Sequence, residues 1–267
     1  MNRIKKFIKN RLNRFISNSS SLKENNNLLL KHIDYLVNSS QKKKKVIYTC
    51  ITGNYVDLQL HEYIDSEWDY VCFTDNEQLL EYKQYGVWKI RPVVFTELDN
   101  TLNNRLHKTH PDVLFPDYDE SIYIDGNMNI VSSYVFDCVN KTEKNLIIPK
   151  HWKDDCVYEE IQNVINVIVP DGGEKIENVM KMKDFLEKEN FPHHYGLNEN
   201  NFIYRKHNEK TVIKIMNEWW NFIKNYTKRD QLSLSYVLYK NSIKPSDIQI
   251  DNLRTKPSAV RMICHKK

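Results

Sequence analysis

The chain has 267 residues and a mass of 32.0 kDa, with 39 Lys+Arg, 35 Asp+Glu, 40% hydrophobic and 12% aromatic residues. That balance excludes collagen-like, mucin-like and wholly disordered chains, and the length suits one large α/β domain or two small ones. Charge is uneven: residues 1–45 hold twelve Lys/Arg against two Asp/Glu, so the remainder is net acidic, which argues against a nucleic-acid binder with a basic folded face. The five cysteines (Cys50, Cys72, Cys138, Cys156, Cys264) have no zinc-site spacing, and their odd number without a secretory signal points to a reducing, cytoplasmic setting. No apolar run approaches the ~18 residues that would span a bilayer.

In chain order, residues 1–17 place Ile4, Phe7, Ile8, Leu12, Phe15 and Ile16 at helical spacing among Arg and Lys, which predicts a basic amphipathic helix suited to peripheral contact with an anionic inner membrane face. Residues 17–27 are rich in Ser and Asn and read as a linker, and 28–37 as a short helix. The lysine run 42–45 closes a leader (1–45) ahead of a body (46–267). The body opens with a β-rich run, Val46 to Thr52, stopping at Gly53-Asn54. A second strand, Asp69 to Asp75, follows, then a third over Val87–Ile90. Glu97 to His110 reads as a helix with Leu98, Leu102 and Leu106 on one stripe. Ser121–Ile124 is another strand, stopping at Asp125-Gly126-Asn127. The second half predicts helices over 154–166, 174–188, 209–224 and 229–240, with a strand at Asn201–Arg205. Strands alternating with helices indicate an α/β, mostly parallel sheet whose ligand sits at the carboxyl ends of the strands.

Three polar strand ends therefore share one candidate site: Thr52–Tyr55, Phe73–Asp75 and Asp125–Asn127. Asp125 just past a buried strand can hold a hard divalent cation, with the Asn127 carbonyl on the same side; the same three residues also make a favoured turn. Arg105 and Lys108, three apart on one helix face away from the leucine stripe, can neutralise phosphate oxygens or join surface ion pairs. His207, beyond a strand, is the preferred third metal ligand. His151, between Lys150 and Lys153, suits an anion. Asp230 at a helix start either complements the helix dipole or serves a substrate hydroxyl as general base or hydrogen-bond partner. Trp219-Trp220 offers one indole to the core and one to a sugar ring.

Taken together, Thr52-Gly53-Asn54-Tyr55, Asn103-Asn104-Arg105, Lys108-Thr109-His110-Pro111, Ile124-Asp125-Gly126-Asn127, Lys150-His151, Arg205-Lys206-His207-Asn208, Trp219-Trp220 and Arg229-Asp230-Gln231 resemble a glycosyltransferase-like family of bacterial polysaccharide-locus and plant mucilage-related proteins, GT-A in type. The resemblance spans about Val46 to Lys240. It implies a GT-A-like, Rossmann-like mixed sheet flanked by helices and a nucleotide-sugar donor over the first strands. Thr52, Gly53, Asn54, Tyr55 and Asp75 would contact base and ribose; Arg105 and Lys108 the donor phosphates or sugar; Asp125 and Asn127 a Mn²⁺ or Mg²⁺ ion. Asp230 would act on a saccharide or lipid-linked acceptor in surface polysaccharide synthesis, the favoured reading for that residue. Asn127 stands where the usual Asp-x-Asp has its second carboxylate, so metal binding would lean on the donor diphosphate. Two other functions compete: a metal-assisted hydrolase of a phosphoester or glycosidic bond, and a non-catalytic carbohydrate- or nucleotide-binding subunit.

Overall fold

A computed structural model describes residues 20–38 and 43–266. The basic helix predicted over 1–17 lies outside the described residues. The first described element is helix α1 (Ser20–Asn38), so the segment read as a linker is helical from Ser20 onward.

An eight-stranded sheet forms the centre, in the order β3-β4-β2-β1-β5-β8-β7-β9. Its strands are β1 (Lys45–Ile51), β2 (Trp68–Thr74), β3 (Gln84–Tyr85), β4 (Trp88–Pro92), β5 (Glu120–Ile124), β7 (Leu146–Pro149), β8 (Phe202–Arg205) and β9 (Gln249–Ile250). Strands β4, β2, β1 and β5 run parallel. Strand β8 is antiparallel to both β5 and β7, and β9 is parallel to β7. A separate antiparallel pair joins β6 (Met128–Ile130) to β10 (Val260–Met262).

Strands β1 and β2 are buried almost throughout, as expected where helices cover both faces of a parallel sheet. Alternate residues feed two cores: Ile47 and Ile51 enter one, and Val46, Tyr48 and Cys50 the other. The second core is closed by α8 (Lys210–Asn225), whose buried Val212, Ile215, Met216, Trp219, Trp220 and Ile223 recur at helical spacing. A third core gathers α6 (Val157–Asn163), α7 (Ile176–Lys188) and α9 (Gln231–Lys240). The remaining helices are α2 (Glu77–Tyr82), α3 (Asn100–Thr109), α4 (Pro111–Leu114), α5 (Tyr134–Asn140) and α10 (Pro245–Ile248). The helix predicted over 154–166 is α6 followed by a π turn, Val164–Ile168.

Helix α1 is docked on the sheet rather than tethered to it, so the packed body starts before residue 46. Tyr35 is buried and its hydroxyl donates to the Trp68 carbonyl at 2.6 Å. His32 bridges two segments: its Nδ1 accepts from Val87 N at 3.0 Å, so Nε2 carries the proton toward His61 O, also at 3.0 Å. Gly86 makes room for that ring, since a Cβ there would stand 2.5 Å from His32 Nδ1. Its φ of +57° is also one that only glycine adopts freely.

His61 beneath it is fully buried, and its Nδ1 accepts from Ile130 N at 3.2 Å. Burial, reinforced by His32, pushes its pKa down to about 3. A folded pKa below the unfolded 6.5 gives stability that is full above about pH 6.5 and lost as pH falls toward 3. The melting temperature is therefore expected to drop between pH 6.5 and 4. His61→Asn, which keeps an acceptor for Ile130 N, should flatten that slope in a pH series of thermal melts.

Candidate active site

The direction of each strand places its loop. Strands β1, β2, β5, β7 and β9 all deliver their carboxyl ends to one rim of the sheet, and β8 delivers its amino end there. Thr52–Tyr55, Asp75, Asp125–Asn127, Lys150–His151 and Asn198–Asn201 therefore lie along one edge.

After β1 the chain turns through two left-handed residues, Gly53 at φ 70° and Asn54 at φ 55°. Gly53 N donates to Asp75 Oδ2 at 2.8 Å, tying the end of β1 to that of β2. Thr52 Oγ1 donates to Asn100 O at 2.8 Å, tying the same loop to the start of α3. A Cβ on Gly53 would meet Asn100 Nδ2 at 2.5 Å, so the loop seats against that helix only with glycine. Between the two strand ends opens a cleft of about 240 Å³, lined by Ile51, Asn54, Thr74, Asn76, Gln78 and Tyr82 among others.

Helix α3 is capped by Asp99, whose carboxylate accepts from Leu102 N at 3.0 Å. At its other end Lys108 O accepts from Arg205 Nη1 at 2.7 Å and from Tyr48 OH at 3.0 Å. Arg205 is fully buried, and a helix carboxyl terminus suits such a cation. Gripped at both ends, α3 presents Arg105 and Lys108 to the rim.

There they meet Asp230, at the start of α9. Lys108 Nζ donates to Asp230 Oδ2 at 2.6 Å and Arg105 Nε lies 3.3 Å from the same oxygen. Asp125 Oδ1 is 3.8 Å from Lys108 Nζ and accepts from Tyr123 OH at 3.1 Å. Trp219 Nε1 donates to the Asp230 carbonyl at 2.9 Å, fixing the backbone behind the carboxylate. Burial alone would raise the Asp230 pKa, but Arg105 and then Lys108 outweigh it and hold it at about 2. Burial likewise opposes the Arg105 charge, while Asp230 and Asp125 more than restore it. Burial, then Asp125, push the Tyr123 and Tyr55 phenols up, so both stay protonated hydrogen-bond donors.

Asp125-Gly126-Asn127 is both a strand end and a turn: Met128 N donates to Asp125 O at 3.0 Å. The Asn127 side chain donates to Ile263 O at 3.2 Å, and Ile263 N donates to Asn127 O at 2.8 Å. The C-terminal segment continues over the β1 loop, with Lys266 N donating to Tyr55 O at 2.8 Å and Lys266 Nζ to Asn54 Oδ1 at 3.1 Å. One carboxylate and one amide oxygen beside a lysine are a thin ligand set. They fit a divalent cation held chiefly by a diphosphate, with Asp125 as its charged protein ligand. Among the described residues the one cluster of three metal-ligating side chains is Asp155, Glu159 and His194, all exposed, and it includes no residue of this turn.

A family model of the TOD1/MUCI70 glycosyltransferase-like domain matches residues 34–256. The chain belongs to this family. No curated protein matches it in sequence. Similar solved structures include the WbbM bifunctional glycosyltransferase, at 12% identity and a TM-score of 0.45 over 81% of this chain and 40% of that one. Ktr4p, a mannosyltransferase from S. cerevisiae solved with GDP, matches at 13% identity and a TM-score of 0.40, over 90% of this chain and 83% of its own. S. aureus TarS matches at 10% identity and 0.39, over 74% and 56%. This chain thus spans less than half of WbbM. The sheet is the mixed, helix-flanked α/β sheet expected from the sequence, and the TOD1/MUCI70 match begins inside α1, in keeping with the docking of that helix.

Several residues of this TOD1/MUCI70 domain take other places than their spacing suggests. His207 is at the opposite rim: β8 pairs Phe202 with Ile124 and Arg205 with Ser121, so residue 207 lies beyond the amino end of β5. Its Nε2 bonds Phe115 O at 3.0 Å, far from any ion at Asp125. His151 has a carboxylate on each side, Glu199 at 3.8 Å and Asp154 at 4.0 Å, which repels rather than recruits phosphate. Lys108 is too buried to touch a ligand, with 1% of its side chain exposed against 18% for Arg105. It contacts the other charges of the site, Asp230 and Asp125. Asp230 is paired with two cations, Lys108 and Arg105, which makes it a weak proton acceptor. Trp219 is fully buried, and Trp220, 9% exposed, lines a cavity with Phe95 and Leu98. Asn198-Glu199-Asn200-Asn201, four polar residues directly ahead of an apolar strand, was the overlooked signal on this rim.

Proposed function

We propose that the chain transfers a sugar from a nucleotide-sugar donor to a glycan acceptor. The observation that carries this is Arg105 held by Asp230 at the strand-end rim, beside Asp125 and next to the β1 loop. The nucleoside would occupy the cleft between the ends of β1 and β2, where backbone groups and Asn54, Asn76 and Gln78 offer hydrogen bonds. The diphosphate would lie toward Arg105 and Lys266. Transfer breaks the bond between the anomeric carbon and the diphosphate oxygen, which keeps the electron pair. The acceptor hydroxyl oxygen forms the new bond, and its proton passes to the departing diphosphate oxygen or to water. Arg105 stabilises the charge developing on the leaving oxygen, and Asp230 and Lys108 keep the guanidinium aimed there without reorganisation. A divalent cation, when bound with the donor, would neutralise further diphosphate charge through Asp125.

A thermal-shift panel of UDP, GDP, CMP and their sugar conjugates, with and without Mn²⁺, tests the reading. One nucleotide is expected to raise the melting temperature, more so with Mn²⁺. No shift with any of them would remove the donor site. The single carboxylate favours one rival, a non-catalytic binding subunit, which would show the shift yet no sugar transfer; donor turnover without acceptor would indicate a hydrolase.

Among the described residues no helix is long and apolar enough to cross a membrane. The basic amphipathic sequence 1–17 would instead bring the enzyme to an anionic lipid surface, near a lipid-linked or growing polysaccharide acceptor. Deleting residues 1–17 is expected to shift the protein from the membrane to the soluble fraction; unchanged fractionation would end that idea.

A further inference from the structure

We propose that Asn198–Asn201, together with His151, form a subsite for the hydroxyl groups of an uncharged sugar ring; this rests on the glycosyltransferase reading and extends it. All four residues of the segment are buried, at 1%, 2%, 3% and 3% exposure. Six of their side-chain atoms have no hydrogen-bond partner: Asn198 Nδ2, Glu199 Oε2 and both polar atoms of Asn200 and of Asn201. A fold rarely seals away so many polar atoms unless something other than the chain satisfies them. The backbone, by contrast, is well held. Glu199 N donates to Pro149 O at 2.8 Å, residue 198 bridges to Lys150, and Asn201 O accepts from Asp125 N at 2.9 Å. The segment is thus held chiefly by its main chain, Asn198 Oδ1 accepts from Gln249 Nε2 at 2.8 Å, most of its side-chain polar atoms are spared, and Asn201 adjoins the turn where the diphosphate would end.

The chemistry of the spare atoms selects the ligand. His151 Nδ1 accepts from Asp154 N at 3.0 Å, which leaves the ring proton on Nε2, facing Glu199 Oε2 at 3.8 Å. That distance is too long for a hydrogen bond. A hydroxyl placed between them would donate to the carboxylate and accept from the imidazole. Two amides beside it offer both donors and acceptors, which match neighbouring hydroxyls on a ring. A phosphate only accepts and would be repelled by Glu199, as would the carboxylate of a uronic acid. Arg254, 43% exposed in its side chain, holds Glu199 Oε1.

The ring can belong to the donor or to the acceptor, and the test separates them. Full-length Asn200→Ala, Asn201→Ala and Glu199→Gln are compared with the unaltered chain by thermal melts and calorimetric titration. The probes are UDP, GDP, UDP-glucose, GDP-mannose, methyl glucoside, methyl mannoside and methyl glucuronide. The Asn→Ala melting temperatures are expected to stay level or rise, because the lost groups bond nothing in the chain. Affinity for the free nucleotide should stay within about twofold. If the donor sugar sits here, the extra affinity of the nucleotide sugar over the nucleotide falls at least about tenfold. If the acceptor sits here, nucleotide-sugar affinity holds and methyl hexoside affinity falls by that factor instead. The proposal is overturned if neither affinity changes, or if the Asn→Ala variants melt much lower with binding intact. It is also overturned if the glucuronide binds as well as the uncharged glycosides. Should no nucleotide bind the unaltered chain, the transferase reading fails alone, and the methyl glycosides decide the subsite: binding lost in the variants supports it, and no binding ends it.

Discussion

Replacing Asp230 with Ala is expected to lower folding stability by about 3–5 kcal/mol, because it leaves two cations in a low-dielectric site with their shared counter-charge gone. For a chain of this size that is a fall of very roughly 6–20 °C in melting temperature. Lys108 suffers most: with 1% of its side chain exposed it has no route to water, and the next carboxylate, Asp125, is 3.8 Å away. Asp230→Asn should lose less, since it keeps an acceptor for Lys108 Nζ. A catalytic base would behave differently, with the turnover number of Asp230→Asn collapsing while the melt stayed in place. The pH dependence adds an independent check. A folded pKa of about 2 against an unfolded 3.8 gives stability that is complete above about pH 4 and lost as pH falls through 2. That contribution is on the order of 2 kcal/mol and should vanish from the acid limb in Asp230→Asn. Melts of both variants at pH 7 and over pH 4–2 would decide it: an unchanged melt for Asp230→Ala would return the residue to the role of base.

The parallel strands were legible because β-rich runs such as Val46–Ile51 and Tyr70–Phe73 are buried on both faces and end in sharply polar loops. Those ends located the rim, and the three-residue spacing put Arg105 and Lys108 on one face. Strand direction was not legible. Asn201–Arg205 reads as a strand either way up, and only its antiparallel pairing with β5 sends His207 to the far rim and brings Asn201 to Asp125. Nor does local sequence say what a charged residue meets across 122 positions, which is how Asp230 comes to neutralise Lys108. Helix dipole and general base were both sound readings of Asp230 alone; a buried ion pair depends on α3 and α9 being brought together. Only the start of α1 was hidden: its Ser- and Asn-rich stretch resembles a linker, while 28–37, which carries His32 and Tyr35, reads as a helix.

Asp125→Ala is expected to reduce sugar transfer by about 10²–10³-fold, the usual cost of removing one group that stabilises charge in a transition state. The melt without ligand should barely move, because Asp125 is partly exposed and its loss leaves Lys108 paired with Asp230. What should vanish is the increment that Mn²⁺ adds to nucleotide binding. Chelation should act in the same selective way: EDTA leaves the free protein's melt unchanged, since this turn offers too few ligands to hold an ion alone, and lowers the melt only when nucleotide is present. An ion retained without nucleotide and lost in Asp125→Ala would contradict this ligand count. The converse substitution, Asn127→Asp, restores a second carboxylate and should reduce the Mn²⁺ concentration needed for half-maximal effect. It also removes the amide that donates to Ile263 O at 3.2 Å and sets a carboxylate against that carbonyl. The C-terminal segment crossing Asn54 and Tyr55 should then loosen, and nucleotide affinity without metal should fall. Tighter metal binding with weaker metal-free nucleotide binding in one variant is the signature of an asparagine kept here to anchor that segment over the donor site.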